Sequence, residues 1–141
     1  MGNKNSWKWM KKQFSHIAVL MGGFGEERDV SINSGKACSK ALLDANYKVT
    51  EIIVDENFPQ KIQKIDPDVC FNALHGKFGE DGTVQGFLNT MKIPYTHSGV
   101  SASCIAINKQ LTKSFLIENT KNELDPIVFP KNIQSNDVSY L

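Results

Sequence analysis

This sequence has almost no net charge. Sixteen Lys and Arg stand against fifteen Asp and Glu in 141 residues, leaving a formal charge of +1. Without a basic surplus there is no electrostatic case for a nucleic-acid partner. Long hydrophobic runs are missing too. No stretch approaches the length of a membrane span, so no membrane partner is expected. No apolar core follows the early lysines, which argues against a secretory signal. Cysteine is scarce. Cys38, Cys70 and Cys104 are scattered, odd in number, and show no CxxC spacing for zinc or redox work. They read as small buried hydrophobes in a reducing compartment, which makes the expected location cytoplasmic. No internal repeat is present. Acids are absent around Lys4, Lys8, Lys11 and Lys12, and residues 1–15 read as a solvated basic tail. Residues 1–6 fit the loose myristoylation pattern, which is too short and too common to carry weight.

What is present suits one domain with a real core. Forty per cent hydrophobic and 22% charged is an ordinary composition. Residues 16–21, HIAVLM, read as a buried strand stopped by Gly22 and Gly23. Residues 31–46 place Gly35, Cys38, Leu42 and Ala45 at helical spacing, with side chains small enough for close packing on a sheet. Residues 47–54 are β-branched and mostly alternating, a second strand. Residues 59–65 suit a short helix and residues 68–74 a third strand. Asp81 is placed to cap a helix whose face is Val84, Phe87, Leu88 and Met91. Residues 93–96 suit a short strand and residues 108–119 a further helix, with Leu111 and Phe115 on one side. This alternation predicts an α/β fold over residues 16–120: a doubly wound, open parallel sheet with helices on both faces. Residues 121–141 turn polar, apart from a strand-like 127–129, and read as the opening of a second unit.

Two loops leave the strand ends. The first follows residue 21 and reads GGFGEERDVS. The second, HGKFGEDGTVQG over residues 75–86, holds four glycines in twelve residues. In an open parallel sheet both loops arrive at the same edge, where ligands bind beyond the carboxyl ends of the strands. The glycines permit close approach. Gly23-x-Gly25 begins a dinucleotide fingerprint, but Arg28 stands where the third glycine belongs. No Gly-Lys-Ser/Thr follows for a phosphate loop. Glu26, Glu27, Glu80 and Asp81 repel phosphate and suit an ammonium group. Glu26 and Asp81 are explained by helix capping and dipole compensation. Glu27 is the candidate for binding. His75, at a strand end beside Gly76, is a candidate as well.

Four motifs in order carry a resemblance. The segment from His75 to Gly86 resembles the first signature of D-alanine–D-alanine ligases. The first loop, the segment Pro94 to Val100, and Asn108-Lys109 with Lys113 are similar to that family's corresponding segments. The resemblance covers residues 17–115. It implies an ATP-grasp enzyme with an N-terminal doubly wound domain, ATP and Mg2+ as cofactors, and D-alanine as substrate. It implies a reaction through a D-alanyl phosphate to the dipeptide for peptidoglycan. By matched position, Glu27 holds the ammonium of the first D-alanine and so orients its carboxylate, the catalytic contribution expected here. Val30 lines the methyl pocket. His75 and Gly76 lie at the same substrate, His75 as a polar positioning group. Lys109 reaches the nucleotide phosphates. Ser31 reads as a helix cap, and Lys113 as a solvated face. No metal ligand is assigned. His97 stands where the family has glycine and receives no role. Residues 121–141 become the start of the ATP-grasp region, whose further clasp residues are absent. The chain alone is therefore expected to be inactive, with a homodimer or a complementary C-terminal chain as implied partners. The alternative is a stand-alone module of the same fold that binds a small amino acid or regulates a partner.

Overall fold

The computed structural model describes residues 14–119. The basic tail up to residue 13 and the strand-like 127–129 lie outside them. Strand β1 is His16–Gly22, helix α1 Arg28–Asp44, β2 Lys48–Val54, α2 Phe58–Ile65 and β3 Val69–Asn72. Helices α3 (Thr83–Thr90), α4 (Val100–Ile107) and α5 (Lys109–Asn119) follow. All strands pair in parallel, in the order β2-β1-β3.

β1 is central and buried from Ile17 to Gly22, as its unbroken apolar run requires. Its alternate residues serve two cores. Ile17, Val19 and Met21 face α1, where Ile32 and Leu42 join them. Ala18 and Leu20 face the other way, into a cluster with Ile52, Val54, Phe58, Ile62, Val84 and Leu88. Those side chains come from β2, α2 and α3. Helices thus cover both faces, and the doubly wound prediction holds.

Two elements and two cysteines differ from expectation. Residues 93–96 form only an isolated bridge, Tyr95 to Cys70. Cys70 N–H donates to Pro94 O at 2.8 Å and Thr96 N–H to Cys70 O at 3.0 Å. Pro94 has no N–H to extend the ladder, and His97, at φ 83°, turns the chain out of extended geometry. Helix α4 has no counterpart in the sequence reading, because VSASCIAI is small or apolar all round and shows no period. It stops at Asn108, whose Oδ1 accepts from Gln110 N–H and Leu111 N–H and so caps α5. Cys70 is buried as expected, but Cys38 is half-buried and Cys104, on α4, is exposed.

Candidate functional site

From β1 the chain passes through α1 to β2 on one side. From β2 it crosses to β3 on the other. The carboxyl ends of β1 and β3 therefore flank the topological switch point of the sheet. The two glycine-bearing loops leave from these ends.

Several contacts bind the loops together. Ser31, fully buried, accepts from Gly22 N–H at 2.9 Å and donates to Ala73 O at 2.7 Å. It sits in the first turn of α1 but does not cap it, so the expectation of a cap is corrected. The reason is geometric. Its hydroxyl points to the sheet edge, where two strand ends offer a donor and an acceptor. Phe24 of the first loop meets Phe78 of the second edge-on, ring centres 5.3 Å apart. Phe78 also contacts Phe58 in the core, 6.4 Å between centres. Phe78 holds a φ of 75°, unusual for a bulky residue. Its N–H donates to Asp81 Oδ2 at 2.9 Å, which fixes that turn.

Glu27 is the N-cap residue of α1, yet its side chain makes no cap hydrogen bond. Its carboxylate also has no ion pair among the described residues. Arg28, beside it, turns away and donates to Gly23 O at 2.9 Å. Glu27 Oε2 lies so close to Gly76 that a Cβ built there would overlap it, and Gly76 has a φ of 66°. This is a position where only glycine fits, on both counts. Sequence reasoning placed both residues at the same edge; the structure brings them into contact.

His75 is half-buried. Its Nε2 is 3.2 Å from Ser34 Oγ on α1, and its Nδ1 is 3.8 Å from Glu80 Oε1. Ser34 was missed in the sequence. The signal was available: Ser34 lies two turns past Glu27 on the same helix face. Glu80 Oε2 accepts from Gly76 N–H at 2.8 Å and closes the loop on itself. Asp81 is also occupied. Burial pushes its carboxyl up, but the Phe78 N–H and the hydroxyl and N–H of Thr83 outweigh this and hold it low. The N-cap of α3 is Gly82, at φ 94°, and Asp81 supports that end from one residue earlier. Glu26 stands just before the cap of α1 and is exposed. Of the four acids, Glu80 and Asp81 are engaged within their own loop. The side chains of Glu26 and Glu27 have no hydrogen bond or ion pair among the described residues, and of these two it is Glu27 that lies against the second loop.

Val30 sits in the first turn of α1, 56% exposed. Lys109 opens α5 and is exposed, with no hydrogen bond or ion pair to the Glu27–His75 group. Among the described residues no three His, Cys, Asp or Glu side chains converge to hold a metal, and no helix is long and apolar enough to cross a membrane.

Residues 55–98 match the family model for the D-ala D-ala ligase N-terminus. Over 101 residues the chain is 54% identical to the D-alanine–D-alanine ligase B of Mesorhizobium japonicum, covering 72% of this chain and 33% of that protein. This chain carries the N-terminal region of the D-alanine–D-alanine ligase family. The ligase B of Brucella suis is 55% identical over 98 residues, 70% of this chain and 32% of its own. Among solved structures, the D-alanine–D-alanine ligase of Bacillus anthracis, in complex with ATP, superposes with a TM-score of 0.67 at 37% identity. That match covers 74% of this chain and 36% of the Bacillus chain. The ligase region here spans about a third of the length of the curated relatives it matches.

Proposed function

We propose that this region forms the first-substrate half of an ATP-dependent D-alanine–D-alanine ligase. One observation carries the reading: a glutamate at a helix N-terminus whose carboxylate caps nothing and rests against a glycine at the switch point. Glu27 receives the ammonium of D-alanine by a charge-assisted hydrogen bond. That contact aims the substrate carboxylate outward, toward activation. Val30, exposed one turn away, takes the methyl group. His75, held between Ser34 and Glu80, keeps a fixed polar edge toward the substrate. Gly76 leaves room for the Glu27 carboxylate.

ATP, when bound, supplies the phosphoryl group that activates the carboxylate through a D-alanyl phosphate. Lys109 fits a phosphate by its charge and exposure, and is its ligand on this reading. The described residues offer no carboxylate set for Mg2+, so no step is assigned to it. The product is the dipeptide used for peptidoglycan, made in the cytoplasm. Assayed alone, the 141 residues should release no ADP from ATP with D-alanine, because the described residues carry one substrate carboxylate and no clasp for the nucleotide.

Amide chemical shifts during a D-alanine titration test this. Saturable shifts should appear at residues 27–30 and 74–77. D-lactate, which lacks the ammonium, should produce none there. Glu27→Gln should weaken binding at least about tenfold, the loss of one charge-assisted contact. Unchanged affinity in that variant would refute the role of Glu27. A coupled assay for ADP release tests inactivity; clear turnover by the isolated chain would overturn it.

A further inference from the structure

A second concave feature lies apart from the Glu27 contact. It is an open cleft of about 390 Å³ whose lining includes Glu80, Gln85, His97, Ser103, Ala106 and Ile107. Gln85 is 1% exposed. Its Nε2 donates to Gly79 O at 2.8 Å, which fixes the orientation of the amide. Its Oε1 is buried and has no partner among the described residues. A buried acceptor without a donor is costly, and such an oxygen marks a place where a donor belongs.

The other groups agree on the sign of charge. Glu80 brings a carboxylate to the cleft. Its Oε2 is engaged with Gly76 N–H and its Oε1 lies 3.8 Å from His75 Nδ1, and no Lys or Arg lines the cleft. Ser103 Oγ donates to Ser98 O at 3.2 Å and keeps lone pairs to accept with. The imidazole of His97 is constrained as well. Asn72 accepts Leu74 N–H through Oδ1 and donates to Gly79 O through Nδ2, so the group facing His97 Nδ1 at 3.3 Å is an N–H donor. His97 Nδ1 therefore accepts, and the neutral ring carries its proton on Nε2. A negative carboxylate, an orphan amide oxygen and a hydroxyl oxygen repel an anion. Ala106 and Ile107 add an apolar wall.

We propose that this cleft binds a small primary amine, its ammonium directed to Gln85 Oε1 and Glu80 and its short alkyl part against Ala106 and Ile107. The site is separate from the Glu27 site. Glu80 joins the two, because the same carboxylate that faces the cleft also holds Gly76 N–H. Occupancy of the cleft is therefore felt in the loop that carries His75.

Titrating the full chain with ethylammonium chloride, against sodium chloride at equal strength, tests this by amide chemical shifts. Saturable shifts are expected at Gln85, His97 and Ser103, including the Gln85 side-chain amide, with a smaller shift at Gly76. They should persist in Glu27→Gln, which separates this site from the proposed D-alanine site. Ala106→Trp, at an exposed rim position, should weaken binding at least tenfold, as should Gln85→Leu. If Gln85→Leu does not fold, Ala106→Trp decides alone. Shifts that match the sodium control, survive Ala106→Trp, or vanish with Glu27→Gln would overturn the proposal. Saturable amine shifts in a wild-type chain that shows none with D-alanine would refute the ligase reading of Glu27 and leave this one standing.

Discussion

Single residues decide whether the two loops meet. Ser31 satisfies Gly22 N–H and Ala73 O with one hydroxyl inside the protein. Ser31→Ala leaves both groups unpaired where water does not reach. The expected loss is about 2–6 kcal/mol, from roughly 1–3 for each orphaned group. Urea unfolding measures it, and a loss below about 0.5 kcal/mol would contradict the bridging role. Gly76→Ala acts on the site itself. Its Cβ would strike the Glu27 carboxylate, and its φ of 66° is strained for alanine. Stability should fall by about 1 kcal/mol or more from the backbone alone. The D-alanine shifts at residues 27–30 should disappear with it. If they remain, Glu27 does not bind where we place it. The glycine-rich character of this loop was legible in the sequence. That one glycine makes room for one particular carboxylate was not, because the two residues are 49 positions apart.

At the scale of elements, α1 shows how closely a helix lies on its sheet. A Cβ built at Gly35 would come within 2.6 Å of Met21 Cβ and 3.0 Å of its sulfur. The sulfur can swing aside; the Cβ cannot. Gly35→Ala gains up to about 1 kcal/mol of helix propensity. Overpacking costs about 1–3 kcal/mol. The overlap should win, with a net loss of about 1 kcal/mol in a denaturant titration. A gain in stability would show that α1 lifts away easily. The small residues of this helix were readable as a packing face from their spacing. Its start was not. The helix begins at Arg28 rather than residue 31, because the turn closed by Arg28 N–H on Gly25 O leads directly into it, and Ser31 N–H already bonds Glu27 O. Helix α4 escaped notice for a different reason. Its residues are nearly uniform in polarity, so no amphipathic period exists to be read.

For the whole molecule, pH reports on how the elements are tied. Asp68 accepts from His16 N–H and from the N–H and hydroxyl of Ser15, which keeps its carboxyl below the ordinary range. Lys61 does the same for Asp55, chiefly by a direct hydrogen bond. Asp81 is lowered as well. Each folded carboxyl holds its proton less tightly than the unfolded one. The stability this contributes is complete above the unfolded value, near 4, and is lost as pH falls through the lower folded value. Cys70 works in the opposite sense. Burial pushes its thiol up to about 12. The unfolded chain releases that proton first, so stability falls as pH rises from about 9 toward 12. A thermal-melt series should thus show a plateau near neutrality with declines below about pH 4 and above about pH 9. An acid limb beginning near pH 6 would point to histidines instead.

The sequence by itself determined the parallel α/β plan, the central strand, the helices that follow the loops, and the family. Those features are local: an unbroken apolar run, a period, and motifs contiguous in the chain. Tertiary structure alone decided that Glu27 rests against Gly76, that Ser31 bridges two strands, and that Gln85 keeps an unpaired oxygen beside a cleft. Such facts depend on where distant backbone donors and acceptors come to lie. The crossing of the chain over β1 brings them together, and no local pattern encodes that distance.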